Sequence, residues 1–189
     1  SVNDAPVGSV DSTTTNEDVS ATGNVLSNDG DVDGDALSVT QFVWGSTTAA
    51  AGDTVTISGV GSLTIDTNGA YTFTPAANYH GVVPSATYTL TDGLLSTTSS
   101  LAIALTSVND APVGAVDSAT TNEDVSATGN VLSNDGDVDG DTLSVTQFVW
   151  GSTTAAAGDT VTIRGCLLYT SDVADDHTGV ELGGSRYIT

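Results

Sequence analysis

Positive charge is almost missing from this chain: two arginines stand against 24 acidic residues, for a formal net charge of −22 over 189 residues. Both arginines, Arg164 and Arg186, lie toward the C-terminal end. Removing the four acids that follow Arg164 (Asp172, Asp175, Asp176 and Glu181) from the count leaves 20 acids in residues 1–163, with no Lys or Arg. Lys and Arg salt bridges are therefore excluded from that stretch. So is a basic face for nucleic acid or for an anionic membrane surface, both of which such a chain repels. Cations, above all Ca²⁺, are the natural partners. The single cysteine, Cys166, excludes a disulfide within the chain. No apolar run reaches the roughly 20 residues that a membrane-spanning helix requires, so direct insertion is not expected. No leader segment is present and no Met occurs; the sequence reads as an internal piece of something longer. Phosphate-cradling glycine loops, nucleophile elbows and Cys/His zinc spacings are likewise missing, which argues against an enzyme.

What is there is repetition. Residues 1–59 return at 107–165 with four changes: Ser9, Thr13, Ala36 and Ser58 become Ala115, Ala119, Thr142 and Arg164. The period of 106 residues is the length of one compact domain, so the chain is a tandem array. Residues 1–106 form a complete unit, 107–165 the first half of a second, and 166–189 an unrelated tail. After Gly165 the expected Val60-Gly61-Ser62-Leu63 continuation gives way to Cys166-Leu167-Leu168-Tyr169. A second unit so shortened is expected to expose half a core. Repetition points to spacing, reach or many weak contacts rather than to one pocket.

Hydrophobic content of 38% suffices for a core. Apolar residues alternate with Thr and Ser in Thr54–Ser58, Ser62–Ile65, Ala70–Thr74, Thr87–Thr91 and Leu101–Leu105. A period of two with β-branched and aromatic residues is the strand signal, and no helical period is sustained anywhere. Asn68-Gly69 and Asp92-Gly93 mark turns. About seven short strands in each repeat predict an all-β fold: tandem immunoglobulin- and cadherin-like antiparallel β-sandwiches, the second copy truncated. Phe42, Trp44, Tyr71, Phe73, Tyr79 and Tyr88 are spaced as core residues. Ser107 to Pro112 repeats Ser1 to Pro6 and forms a short junction that Pro112 stiffens. His80 stands alone in a loop, with no partner evident for acid–base or metal chemistry.

The strongest local motif is Asn28-Asp29-Gly30-Asp31-Val32-Asp33-Gly34-Asp35, repeated at Asn134 to Asp141. Asp29, Asp31, Asp33 and Asp35, with Asp135, Asp137, Asp139 and Asp141, place short carboxylates at alternate positions, and a glycine permits a sharp turn. This resembles the front half of a calcium loop, although Thr40 and Thr146 stand where an EF-hand has its bidentate Glu. Four carboxylates about 6 Å apart repel by roughly 4 kcal/mol in total even at the dielectric of water, a term a dication would reverse. Turn formation alone is the other explanation for Asp and Gly at this density. Glu17 and Asp18, their counterparts Glu123 and Asp124, and the junction residues Asn109 and Asp110 are further candidate oxygen donors.

Val2-Asn3-Asp4-Ala5-Pro6-Val7, Thr15–Asp18, Gly23–Asp29 through Asp35, Gly69–Gly81 and Tyr88–Gly93 together resemble the bacterial cadherin-like and VCBS-type immunoglobulin repeats of large secreted adhesins. That resemblance implies a Ca²⁺-stiffened spacer at the cell surface or outside the cell, exported by a type I system. Its partners would be calcium, neighbouring repeats of the same chain, and a surface or host ligand reached through other domains. A module that itself binds carbohydrate or protein is the alternative. The tail 166–189 resembles translated read-through of a sequencing adapter.

Overall fold

A computed structural model describes residues 2–161 and the backbone of residues 186–188. The tail therefore lies outside the described residues, save for those three. The chain divides into two compact units, Ser1–Val108 and Asn109–Thr189.

The first unit contains nine strands: β1 (Asp11–Asn16), β2 (Ala21–Asn24), β3 (Ser38–Trp44), β4 (Thr47–Ala50), β5 (Thr54–Ile57), β6 (Gly61–Ile65), β7 (Ala70–Pro75), β8 (Ala86–Thr91) and β9 (Ser96–Thr106). They form two sheets, β1-β9-β8-β3-β4 and β2-β7-β6-β5. All pairs are antiparallel except β1 with β9, where Asp11 to Asn16 lie in parallel register on Leu101 to Thr106.

Alternation drives the packing. β7 and β8 bury every second residue, so Tyr71 and Phe73 of one sheet meet Tyr88 and Leu90 of the other. In β3 the buried positions are Val39, Phe42 and Trp44, which a strict period of two cannot place on one face. A register shift between Val39 and Gln41 against β8 absorbs the extra residue. Phe42, Trp44, Phe73 and Tyr88 are wholly buried. Phe73 meets Trp44 edge-on, ring centroids 5.9 Å apart at 82°. Each such side chain contributes roughly 1.5–3 kcal/mol through burial. Tyr71 is also buried, while Tyr79 packs half-exposed on the rim and donates its hydroxyl to the Val82 carbonyl.

The turns are less uniform than the dipeptides suggest. At Asn68-Gly69 only the glycine adopts a positive φ, 83°, and the Asn68 side chain accepts a hydrogen bond from Ala70 N. The connection is a four-residue loop closed by Gly69 N donating to Asp66 O at 2.9 Å.

In the second unit the described strands are β10 (Val145–Trp150), β11 (Thr153–Ala156) and β12 (Arg186–Ile188), in the order β11-β10-β12. Val145, Phe148 and Trp150 are half-buried, whereas their counterparts Val39, Phe42 and Trp44 are at most 1% exposed.

Candidate cation-binding loops

The acidic loop of each unit is a local structure that clasps the chain entering that same unit. In the first, Asp31 Oδ1 accepts from Asp33 N (2.8 Å) and Asp35 N (3.3 Å), winding the loop around one carboxylate. Gly34, at φ 80°, permits the reversal. Asp33 Oδ2 accepts from Asp4 N at 2.8 Å, and Val7 and Gly30 exchange backbone hydrogen bonds. The second unit repeats this arrangement. Asp137 Oδ1 accepts from Asp139 N and Asp141 N, Asp139 Oδ2 accepts from Asp110 N at 2.7 Å, and Val113 bridges Gly136. Asn109 turns its side-chain amide to the Asp110 carbonyl. The Asn-Asp-Ala-Pro motif is thus bonded to the unit it introduces.

Asp29 points the other way, toward the core. Its Oδ1 accepts from Ser9 N at 2.6 Å and its Oδ2 from the Tyr88 hydroxyl at 3.0 Å. That hydroxyl also lies 2.9 Å from Asp11 Oδ2 and 2.9 Å from the Val25 carbonyl. One buried proton therefore serves several acceptors. Burial pushes the Asp11 carboxyl above its usual range, and the nearby Asp29 charge adds to this against the Tyr88 hydrogen bond. Burial likewise raises the Tyr88 phenol. The second copy keeps the Asp29 position, as Asp135 accepting from Ala115 N at 2.8 Å.

The donor set suits a hard cation. One oxygen of Asp31, Oδ2, is buried with no hydrogen-bond partner, a condition that a bound cation would relieve. Asp31 borders an open cleft of about 550 Å³, lined also by Leu26, Leu37 and the polar side chains of Asn24, Ser27, Asp35 and Asn68. Its polar side chains offer oxygen, the donor type Ca²⁺ takes. The loop's carboxylates do not by themselves converge: no three bring an oxygen each within 4.8 Å of one another.

Glu17 and Asp18 are not part of this cluster. They follow β1, while Asp11 and Asp29 meet at its beginning, so the length of the strand, about 20 Å, separates the two ends. Glu17 is 3% exposed and the only buried charged residue among those described. Its N donates to Thr106 O at 3.0 Å, and its Oε1 accepts from Val108 N at 2.5 Å, fixing the departing strand. Its Oε2 lies 3.5 Å from Nδ1 of His80. The expectation that His80 stands alone is thereby corrected; chain spacing of more than 60 residues hid the pair. Asp18, at φ 59°, accepts from Asn78 N through Oδ1 at 2.9 Å. In the second copy Glu123 and Asp124 are exposed, and Asp124 keeps the same φ of 59°. Sequence reasoning missed Asp92 as well. Its Oδ1 accepts from Leu94 N and Leu95 N, both at 2.7 Å, and its Oδ2 from the Asn3 amide at 2.8 Å. These bonds, the one from Leu95 foremost, hold its carboxyl below the usual range.

Residues 3–107 match the family model of the bacterial cadherin-like domain, and residues 109–182 match that of a bacterial Ig domain. No curated protein matches the chain.

Proposed function

Because the chain belongs to the bacterial cadherin-like domain family, whose members are non-enzymatic structural modules, we propose that it serves as a Ca²⁺-stiffened spacer within a large extracellular surface protein. The ligands would come from the acidic loop of each unit: Asp31, Asp33 and Asp35 in the first, Asp137, Asp139 and Asp141 in the second. Asp29 and Asp135 would brace the loop from behind. Glu17, Asp18, Glu123, Asp124, Asn109 and Asp110 remain secondary candidates at the unit ends.

The observation that carries this reading is the buried, unsatisfied Oδ2 of Asp31 in a neighbourhood without any positive side chain. A dication there would neutralise the loop and tighten its hold on Asp4, and one in the second loop would do the same for Asp110. That hold fixes how the chain enters each unit. Extracellular calcium modules bind with Kd on the order of 10⁻⁴ to 10⁻³ M, so such a site stays empty in low-calcium cytosol and fills outside the cell. Export by a type I system fits a chain that firms up only after passage. The alternative, direct carbohydrate or protein binding, gains little: Phe42, Trp44, Tyr71, Phe73 and Tyr88 lie in the core, away from any stacking platform.

The test is thermal unfolding of the chain in chelator and in millimolar Ca²⁺. At that Kd, millimolar Ca²⁺ is about one to ten times Kd and adds about 0.4–1.4 kcal/mol per site to stability. Equal melting temperatures under the two conditions would end the calcium reading.

A further inference from the structure

One carboxylate of the first unit stands apart from the acidic loop, at the far end of β1. Glu17 is 3% exposed, and its Oε2 is buried with no hydrogen-bond partner. Its Oε1 is already engaged by Val108 N. A buried carboxylate oxygen in that condition is costly until a donor or a cation reaches it. Residues 1–163 hold no Lys or Arg to supply one.

What faces Oε2 is Nδ1 of His80, at 3.5 Å. That separation decides between two arrangements. A hydrogen bond from nitrogen to oxygen spans about 2.7–3.2 Å, less still when charge assists it, so the pair stands too far apart for one. Two ligands of a tetrahedral zinc ion, nitrogen at about 2.0–2.1 Å and oxygen at about 2.0–2.2 Å, lie about 3.3–3.5 Å from each other. The gap between Nδ1 and Oε2 has that width.

Both groups are held in place by their neighbours in the chain. Asp18 Oδ1, next to Glu17, accepts from Asn78 N at 2.9 Å, and both residues adopt positive φ, 59° and 54°. That conformation is uncommon outside glycine, and here it turns the loop 76–81 against the end of β1. Tyr79 closes the loop by donating its hydroxyl to Val82 O. The His80 side chain is 42% exposed, so an ion reaches the pair directly from solvent.

We propose that Glu17 and His80 form a binding site for a borderline divalent cation of the Zn²⁺ type, with Oε2 and Nδ1 as protein ligands and water completing the coordination. Imidazole nitrogen suits Zn²⁺, whereas Ca²⁺ takes oxygen, so this site stands independently of calcium at the acidic loops. Glu17 also donates its N to Thr106 O and accepts from Val108 N. An ion on its free oxygen therefore ties the loop 76–81 to the end of β9, and locks the strand by which the chain leaves the unit.

The probe is Zn²⁺ alone, titrated calorimetrically into the full 189-residue chain in millimolar Ca²⁺, which competes for carboxylates that have only oxygen neighbours. A Cys166→Ser, His177→Asn chain removes the one thiol and the one other imidazole of the sequence. One saturable equivalent of Zn²⁺ is expected to survive in that background. Adding Glu17→Gln or His80→Asn should weaken it at least about tenfold. Gln keeps an oxygen for Val108 N, and melting without Zn²⁺ verifies that each variant is folded. Zn²⁺ should raise the melting temperature of the parent chain and not that of His80→Asn. Equal binding by His80→Asn overturns the proposal, as does an equivalent that vanishes with the two tail substitutions. Absence of any saturable equivalent in the presence of Ca²⁺ overturns it too.

Discussion

Replacing Tyr88 with Phe removes one oxygen from a fully buried ring and leaves the packing surface of β8 intact. The hydroxyl lies within 3.0 Å of Asp11 Oδ2, Asp29 Oδ2 and the Val25 carbonyl. A hydrogen bond to a charged group is worth roughly 1.5–3 kcal/mol, and deleting the donor leaves its acceptor without compensation. Two carboxylates would also face each other with nothing between them. About 2–3 kcal/mol of destabilisation follows, or about 8–20 °C in Tm for a unit of this size. Chemical denaturation in chelator, followed by near-UV circular dichroism, isolates this effect from any metal. Asp11→Asn in the same background supplies an amide donor and removes one charge, so the double variant should recover part of the loss. A change below about 0.5 kcal/mol for Tyr88→Phe, or a double variant weaker than the sum of the singles, would refute the reasoning.

Asp31→Asn should abolish most of the calcium-dependent rise in Tm while altering stability in chelator little, because the amide keeps an oxygen for Asp33 N and Asp35 N; differential scanning with and without Ca²⁺ checks it. The raised Asp11 carboxyl binds its proton more tightly in the folded state, so its contribution to stability is present at low pH and is lost as pH climbs through its folded value. The Asp11→Asn chain should therefore lose less stability than the parent between the ordinary carboxylate range and neutrality. Asp92 has the opposite sign: its contribution is present above the ordinary range and disappears as pH falls through its lowered value, so Asp92→Asn should flatten the acid limb of a urea midpoint–pH curve. Gly61→Ala should cost more than about 2 kcal/mol, since φ there is 149° and a methyl group would collide with the Thr74 carbonyl and the Phe73 ring. Gly129→Ala, where nothing lies within 4 Å, should be nearly silent by the same melt.

The strands that alternate apolar and hydroxyl residues were readable directly: β5, β6, β7 and β8 lie within a residue of where the pattern puts them. β9 extends five residues further toward the N-terminus than its apolar run, because Ser96 to Ser100 pair with β8 without bringing a large apolar side chain. β3 was not read as a strand either, because the bulge after Val39 breaks its alternation, and β1, β2 and β4 escaped notice for a reason related to that of β9. Asp11–Asn16, Ala21–Asn24 and Thr47–Ala50 lie at sheet edges and carry scarcely any apolar side chain, so what recruits them is a ladder supplied by a distant neighbour. Of the site, the sharp turn at Gly34 was legible from the spacing, while the donation of Asp33 N and Asp35 N to Asp31 was not. The inward turn of Asp29 to Tyr88, the Glu17–His80 pair and the Asn3–Asp92 bond were not, since each joins residues at least 59 positions apart.

The parallel pairing of β1 with β9 places the first and last strands of the unit side by side, pointing the same way. Tension applied through the chain pulls β1 by its beginning and β9 by its end, so the two slide along each other instead of peeling open. All the cross-strand bonds between them then bear load together. A unit wired in this manner resists stretching as a whole before any part of it yields, the behaviour that the proposed spacer would need.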